Sequence, residues 1–197
     1  MTSEAQRTEP KARTTGAPSN ARVPVLEVPL PADARTLTTL SRVDYTDAFR
    51  LDTDHALDRT GEEWTRAILQ EAPPATRRAL RRGWFLLGVR LGPAEDERLV
   101  LGWEVRRSSP EFAVLAASSL IGLDAEVLCQ RHQRGLLVAT FVHLSNPVAR
   151  VVWAAISPHH RKVLRHLIGT AGSRVHNDVS ARNVRRTDPV QPGAARA

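Results

Sequence analysis

Between Thr60 and Leu144 the spacing of apolar residues switches from a helical interval to a period of two and then to short strand-like runs, and nothing constrains this chain more. Thr60-Gly61-Glu62-Glu63 reads as a capping box: the Thr60 side chain takes a backbone N–H of the first turn while Glu63 reaches back to the cap. Trp64, Ala67, Ile68 and Glu71 follow at helical spacing until Pro73-Pro74 ends that helix. A second helix is predicted from about Pro74 to Val89, with Leu80, Trp84, Leu87 and Leu91 along one side and Arg77, Arg78, Arg81 and Arg82 along the other. Gly83 and Gly88 weaken it, and Gly92-Pro93 stops it.

From Leu99 the period is two. Leu99, Leu101, Trp103 and Val105 alternate with smaller or polar residues, which predicts one strand over 99–106. After the turn Ser108-Ser109-Pro110, residues 112–121, 123–131 and 136–145 read as three more strands, and their short connections favour antiparallel pairing. Upstream, VDYTDAFRLD (43–52) alternates Val43, Tyr45, Phe49 and Leu51 with polar residues, Asp47 alone breaking the pattern, so a first strand is predicted there. PADARTL (31–37) makes a short helical turn. Asn146-Pro147 supplies an N-cap and a first-turn proline for a last helix running to Ile168, where Gly169 ends it. The fold class is therefore α+β: a curved antiparallel sheet, two short helices after its first strand, wrapped around a long C-terminal helix.

Residues 1–30, most clearly 1–22, are rich in Thr, Ser, Ala, Pro and charge without an apolar period and are expected to form a disordered arm. Residues 173–197 are expected to be a disordered basic tail, which leaves 31–172 as the folded domain. The first residues lack the apolar run of a secretory signal, and no stretch approaches the ~18 apolar residues of a bilayer span, so the expected compartment is the cytoplasm. The net charge of +7 does not imply nucleic acid, because residues 1–22 hold +2 and 173–197 hold +3, leaving only +2 on the 150 residues between. An interaction module working through those tails remains a separate reading. The single cysteine, Cys129, excludes an internal disulfide and a multi-cysteine zinc site, and its alternating apolar context marks a small buried hydrophobe.

The candidate chemistry concentrates in SPHHRKVLRHL (157–167). At about 100° per residue, His159 and His160 diverge by about 100°, while His159 and His166 share a side but stand about 10 Å apart along the axis. One ion cannot be bound directly by such a set, so no metal is expected. Ser157-Pro158 is a kink or a helix restart, and His160 is either a boundary residue of the core or a polar tip in a cavity that could orient a ligand or exchange a proton. Trp64, Trp84, Trp103 and Trp153 all fall on apolar faces, where core packing is the plain reading. The sharper one has Trp84, Trp103, Phe141 and Trp153 lining a ligand pocket. Thr140 and His143 lie on opposite parities of one strand, so only one faces inward. Asp44, Asp47, Asp52, Asp54 and Asp58 fit no calcium loop and read as a solvated edge. Glu104 and Glu126 sit at polar parity and are expected outside; turned inward, either would be a candidate acid. RRALRRGWFLLGV (77–89) is basic and amphipathic enough to leave weak peripheral membrane contact open.

DYTDAF (44–49), LGWEV (101–105), the Asn-Pro-initiated helix with Trp153, and PHHR (158–161) resemble, in that order, the DUF2867-type proteins of the START/SRPBCC superfamily. That superfamily, which includes birch-pollen-allergen-like proteins and polyketide cyclases, has the helix-grip fold, and the resemblance covers roughly residues 31–170. It implies a cavity between sheet and C-terminal helix for a small hydrophobic ligand, lipid- or polyketide-like, with no cofactor. It also implies an alternative, a cofactor-independent cyclase or dehydratase acting in the same cavity, with His160 matching the histidine of the family's motif and working beside an inward carboxylate. It implies no fixed catalytic set. The sequence shows about five strands where that fold has seven, so either two strands are merged in this reading or the sheet is truncated.

Overall fold

The computed structural model describes residues 24–93 and 96–187. It is an α+β structure built on one curved antiparallel sheet of seven strands, with a long C-terminal helix across one face. The elements in chain order are β1 (Val25–Glu27), α1 (Ala32–Arg35), β2 (Tyr45–Asp52), α2 (Gly61–Leu69), α3 (Pro74–Leu86), β3 (Leu99–Val100), β4 (Trp103–Ser108), β5 (Phe112–Ser118), β6 (Leu123–His132), β7 (Gly135–Leu144) and α4 (Pro147–Thr187). The strands are arranged β1-β2-β7-β6-β5-β4-β3.

Both missing strands have local explanations. The strand expected over 99–106 is a hairpin, with Val100 paired to Trp103 and Leu99 to Glu104. Its two-residue turn holds Leu101 at φ 53° and Gly102 at φ 93°, the pair of positive φ angles that a tight hairpin turn of this kind requires. Leucine is a poor residue there, so the alternation conceals the reversal; burial of the Leu101 side chain holds it in place. The other missing strand, β1, lies inside the segment expected to be a disordered arm. It pairs with β2 over three residues, too few for a period to be read. Residues 1–23 of that arm lie outside the described residues.

The sheet is covered on both faces. Odd-numbered residues of β2, β5 and β6 and even-numbered residues of β7 share the inner face, where Phe49, Leu51, Leu115, Cys129 and Val138 pack beneath α2, α3 and α4. The outer face carries Ala48, Val114, Leu128, Leu137, Ala139 and Phe141, covered by Leu30, Ala34, Leu37, Leu40 and Val43 of the N-terminal segment. Glu126, expected to be exposed, is fully buried on this outer face. Its carboxylate accepts bonds from Thr38 Oγ1 at 2.6 Å, from the Thr39 N–H at 2.9 Å and from Thr39 Oγ1. The N-terminal segment supplies the hydrogen bonds that an exposed glutamate would take from water.

The capping box at Thr60 and Glu63 is formed as expected. At α4, the Asn146 side chain accepts the Ala149 N–H at 2.9 Å, but the helix continues well past Gly169 and runs through Pro158 without restarting. Ala171 and Val175 are buried, and Arg174 donates to the Ala67 carbonyl at 2.5 Å. Tertiary packing therefore overrides the local stop signal, and residues 173–187 of the expected tail are helical. Its remainder, 188–197, lies outside the described residues.

Gly61 starts α2 hard against β5: a Cβ there would collide with the Phe112–Ala113 backbone. Gly83, in the last turn of α3, has nothing within 4 Å of such an atom. Urea unfolding should therefore separate them, Gly61→Ala losing about 1–3 kcal/mol and Gly83→Ala gaining about 0.5–1 kcal/mol. Similar effects at both positions would contradict this placement of α2.

Candidate functional site

Alternation along the strands decides what faces α3 and α4. Trp103 of β4, Ala117 of β5, Ala125 and Val127 of β6 and Thr140 of β7 all lie on the inner face, and two of these five are alanines. Alanine fills little of the space above a sheet, and α3 does not descend to fill it, since none of its residues is fully buried. The C-terminal end of α3 is instead fastened to the β5–β6 turn, where Val89 bridges Ser119 and Ser119 Oγ donates to the Leu87 carbonyl. The result is a cavity of about 830 Å³ between the sheet, α3 and the first half of α4.

Its walls are mostly apolar. Trp84 and Trp103 meet edge-to-face with ring centres 5.4 Å apart, and Trp153 of α4 stands opposite with Ile156 and Val163. The buried indole N–H groups of Trp103 and Trp153 have no partner among the described residues. Unmade bonds of this kind cost stability and warrant a functional explanation.

The polar side of the cavity is built on His160. Its Nε2 lies 3.1 Å from Thr140 Oγ1 and 3.5 Å from Asp47 Oδ2, and its ring is 5.2 Å from that of Trp153. Asp47 and Thr140 are direct partners in the β2–β7 ladder, so the sheet register itself brings carboxylate and hydroxyl together. Tyr45, two residues earlier on the same face, donates its hydroxyl to Asp47 Oδ2 at 2.9 Å. The Asp47 side chain is only 2% exposed, and its Oδ1 has no partner among the described residues. Burial pushes His160 below its ordinary 6.5, opposed by the Asp47 charge and reinforced by Arg161 and His159. Burial first, then the Asp47 charge and hydrogen bond, raises Tyr45 so that it stays a protonated donor. With an Nε2–H turned toward Thr140 and Asp47, the neutral imidazole presents Nδ1 as a lone pair; no hydrogen bond to Nδ1 is formed among the described residues. Such a group can accept a proton from a ligand while the nearby carboxylate stabilises the resulting cation.

Trp84, Trp103, Trp153 and His160 thus surround one space, but Phe141 does not belong with them. It occupies the opposite parity of β7 from Thr140 and is buried in the outer-face core, so its place as a pocket residue is corrected. Trp64 is core, its indole donating to the Ala56 carbonyl at 3.0 Å. His143 faces outward to Asp44 at 3.0 Å. His159 and His166, which share a stripe of α4, both line the cavity.

Asp47 is the residue that sequence reasoning missed, and the signal was present: a carboxylate at apolar parity. The acidic run is not a uniform solvated edge, because Asp44 is also largely covered, its side chain 9% exposed. The Leu144 backbone N–H, then His143 and Arg42, lower Asp44 to about 2, making it a clamp between the start of β2 and the end of β7. Asp52 and Asp58 are exposed as expected. Burial pushes the Cys129 thiol up to about 12, in keeping with a packing role. Among the described residues no three ligating side chains are grouped for a metal, and no helix is long and apolar enough to cross a membrane. The basic helix ends at Leu86 and turns Arg78 and Arg82 outward beside the exposed Phe85 and Leu86.

Compared with known protein families, with curated proteins and with solved structures, the chain matches none.

The lowered His160 has a sign that can be checked. Below 6.5 the unfolded chain takes up a proton that folded His160 resists, so acidification favours unfolding until the folded value is reached. Stability measured by denaturant titration should fall as the pH drops through 6.5, and this component should vanish in His160→Gln. An unchanged pH slope in the variant would show that His160 is not held neutral.

Proposed function

We propose that this protein binds a small hydrophobic ligand in the cavity between the sheet and α4, within a helix-grip architecture of START/SRPBCC type. The observation that carries the reading is the cavity itself: about 830 Å³, lined by three tryptophans and aliphatic side chains. That volume is within the usual ~300–1,000 Å³ range of small-molecule sites. A space this large is hard to reconcile with a purely structural role, because interiors are otherwise close-packed and unfilled apolar volume destabilises a fold. Strand order and the long terminal helix support the architecture.

A replacement that fills the space should abolish binding without disturbing the fold. Val127 faces the cavity from the middle of β6, and Val127→Trp would project an indole into it. Nile red should bind the wild-type protein saturably and bind Val127→Trp at least about tenfold more weakly, with matching circular dichroism spectra. Equal dye binding by both proteins would sink the proposal.

One observation favours a second reading, an enzyme of the cofactor-independent cyclase or dehydratase type. The Asp47–His160 pair sets an imidazole lone pair beside the cavity and a carboxylate behind it. The inward carboxylate this chemistry needs is Asp47, not Glu104 or Glu126. In this reading Nδ1 accepts a proton from a carbon or hydroxyl of the bound molecule, Asp47 stabilises the imidazolium, and the same nitrogen returns the proton. In D2O, a ligand extracted from the purified protein should then take up deuterium at carbon with wild type but not with His160→Gln or Asp47→Asn. Exchange unaffected by either variant would leave binding as the whole function.

A further inference from the structure

We infer that the ligand is an amphiphile whose anionic head group, a carboxylate in its simplest form, is held at the mouth of the cavity by Lys162, His159 and His166. This rests on the proposal that the cavity binds a ligand at all. The argument comes from the signs of the charges around it. Among the described residues, every ionisable side chain lining the cavity is basic, namely His159, His160, Lys162 and His166, and no aspartate or glutamate lines it. Three of them, at positions 159, 162 and 166, make one stripe along α4 by the three- and four-residue spacing of a helix. All three are exposed, whereas the floor beneath them is alkyl and aromatic.

The way α4 uses its other cations sharpens the contrast. Arg161 and Arg165, turned away from the cavity, are bound to Glu27 at 3.3 Å and 3.0 Å. The side chains of Lys162, His159 and His166 make no hydrogen bond or ion pair among the described residues. Across the mouth, α3 contributes Ala75, Thr76, Ala79 and Gly83, which carry no charge and little bulk. A ligand entering there meets one ammonium and two imidazoles on one side, a neutral wall on the other, and Trp84 and Trp103 below. A neutral hydrocarbon would leave the ammonium and the imidazoles of the rim unused, and a cation would be repelled by Lys162. A monoanion with an apolar tail satisfies both parts, the ammonium donating to its oxygens and the tail displacing water from the tryptophans.

The test uses full-length protein and a matched pair of probes, 12-(dansylamino)dodecanoic acid and its methyl ester, which differ in head-group charge. The acid should bind about tenfold more tightly, and 0.5 M NaCl should weaken the acid alone. Lys162→Gln combined with His166→Gln should weaken the acid at least about fivefold and leave the ester unchanged. Arg161→Gln combined with Arg165→Gln removes two full positive charges from the same helix, more than the first pair does, and should leave both probes unchanged. Equal affinity for acid and ester, or equal losses in the two double variants, overturns the head-group assignment while cavity binding stands. If neither probe binds and Nile red also fails, the assignment and the underlying proposal fall together.

Discussion

The pairing of β2 with β7 is the contact on which the rest of the molecule depends. It joins the first long strand of the sheet to the last, residue for residue from Tyr45↔Val142 to Asp52↔Gly135. A slip of one residue would exchange the faces of β2, sending Asp47, Phe49 and Leu51 outward and bringing Thr46, Ala48 and Arg50 in. Two features oppose such a slip. Asp44 accepts the Leu144 N–H at one end of the ladder, and at the other Gly135 sits where a Cβ would come 2.5 Å from the Leu51 carbonyl oxygen. With the register fixed, Asp47 lies beside Thr140, and α4 crossing that face brings His160 onto both.

The two helical layers serve different ends. α2 is a packing element, with Trp64, Ala67 and Ile68 buried and Gly61 pressed against β5. α3 spans the sheet without settling onto it, tied at its end to the β5–β6 turn and floored by alanines. Close packing in one layer supplies stability, and its absence in the next leaves volume. That division also explains the placement of polar groups, since an aspartate buried beside a histidine, a threonine and a tyrosine is tolerable only where the surrounding fold is over-determined.

Much of this was legible in advance. The capping box at Thr60, the proline break at Pro73-Pro74, the strand-length apolar runs between Phe112 and Leu144 and the Asn146 cap are local signals, and the structure follows each of them. Failures occurred where a local signal was overridden or too short. Leu101-Gly102 reverses the chain inside a run that alternates perfectly, β1 has three residues, and Gly169 does not stop a helix whose continuation is buried. Trp84, Trp103, Trp153 and His160, singled out from apolar faces and a short histidine stretch, line one cavity. Phe141 was misplaced because an aromatic in a strand buried on both faces has two cores to choose between.

By itself, the sequence determined the class of the fold and the order of its longer elements, because helical and alternating periods, caps and breakers act within a few residues. It also ruled out a disulfide framework and argued against a metal centre in 157–167, since one cysteine and the histidine spacing suffice for both. Only the tertiary structure decided which part of the inner face was left unfilled, and only it turned Asp47 from an apparent surface acid into the partner of His160. The physical reason is that burial and pairing belong to contacts between segments far apart in the chain. Asp47, Thr140 and His160 become neighbours through a strand register and a helix crossing, neither of which any one of those segments encodes alone.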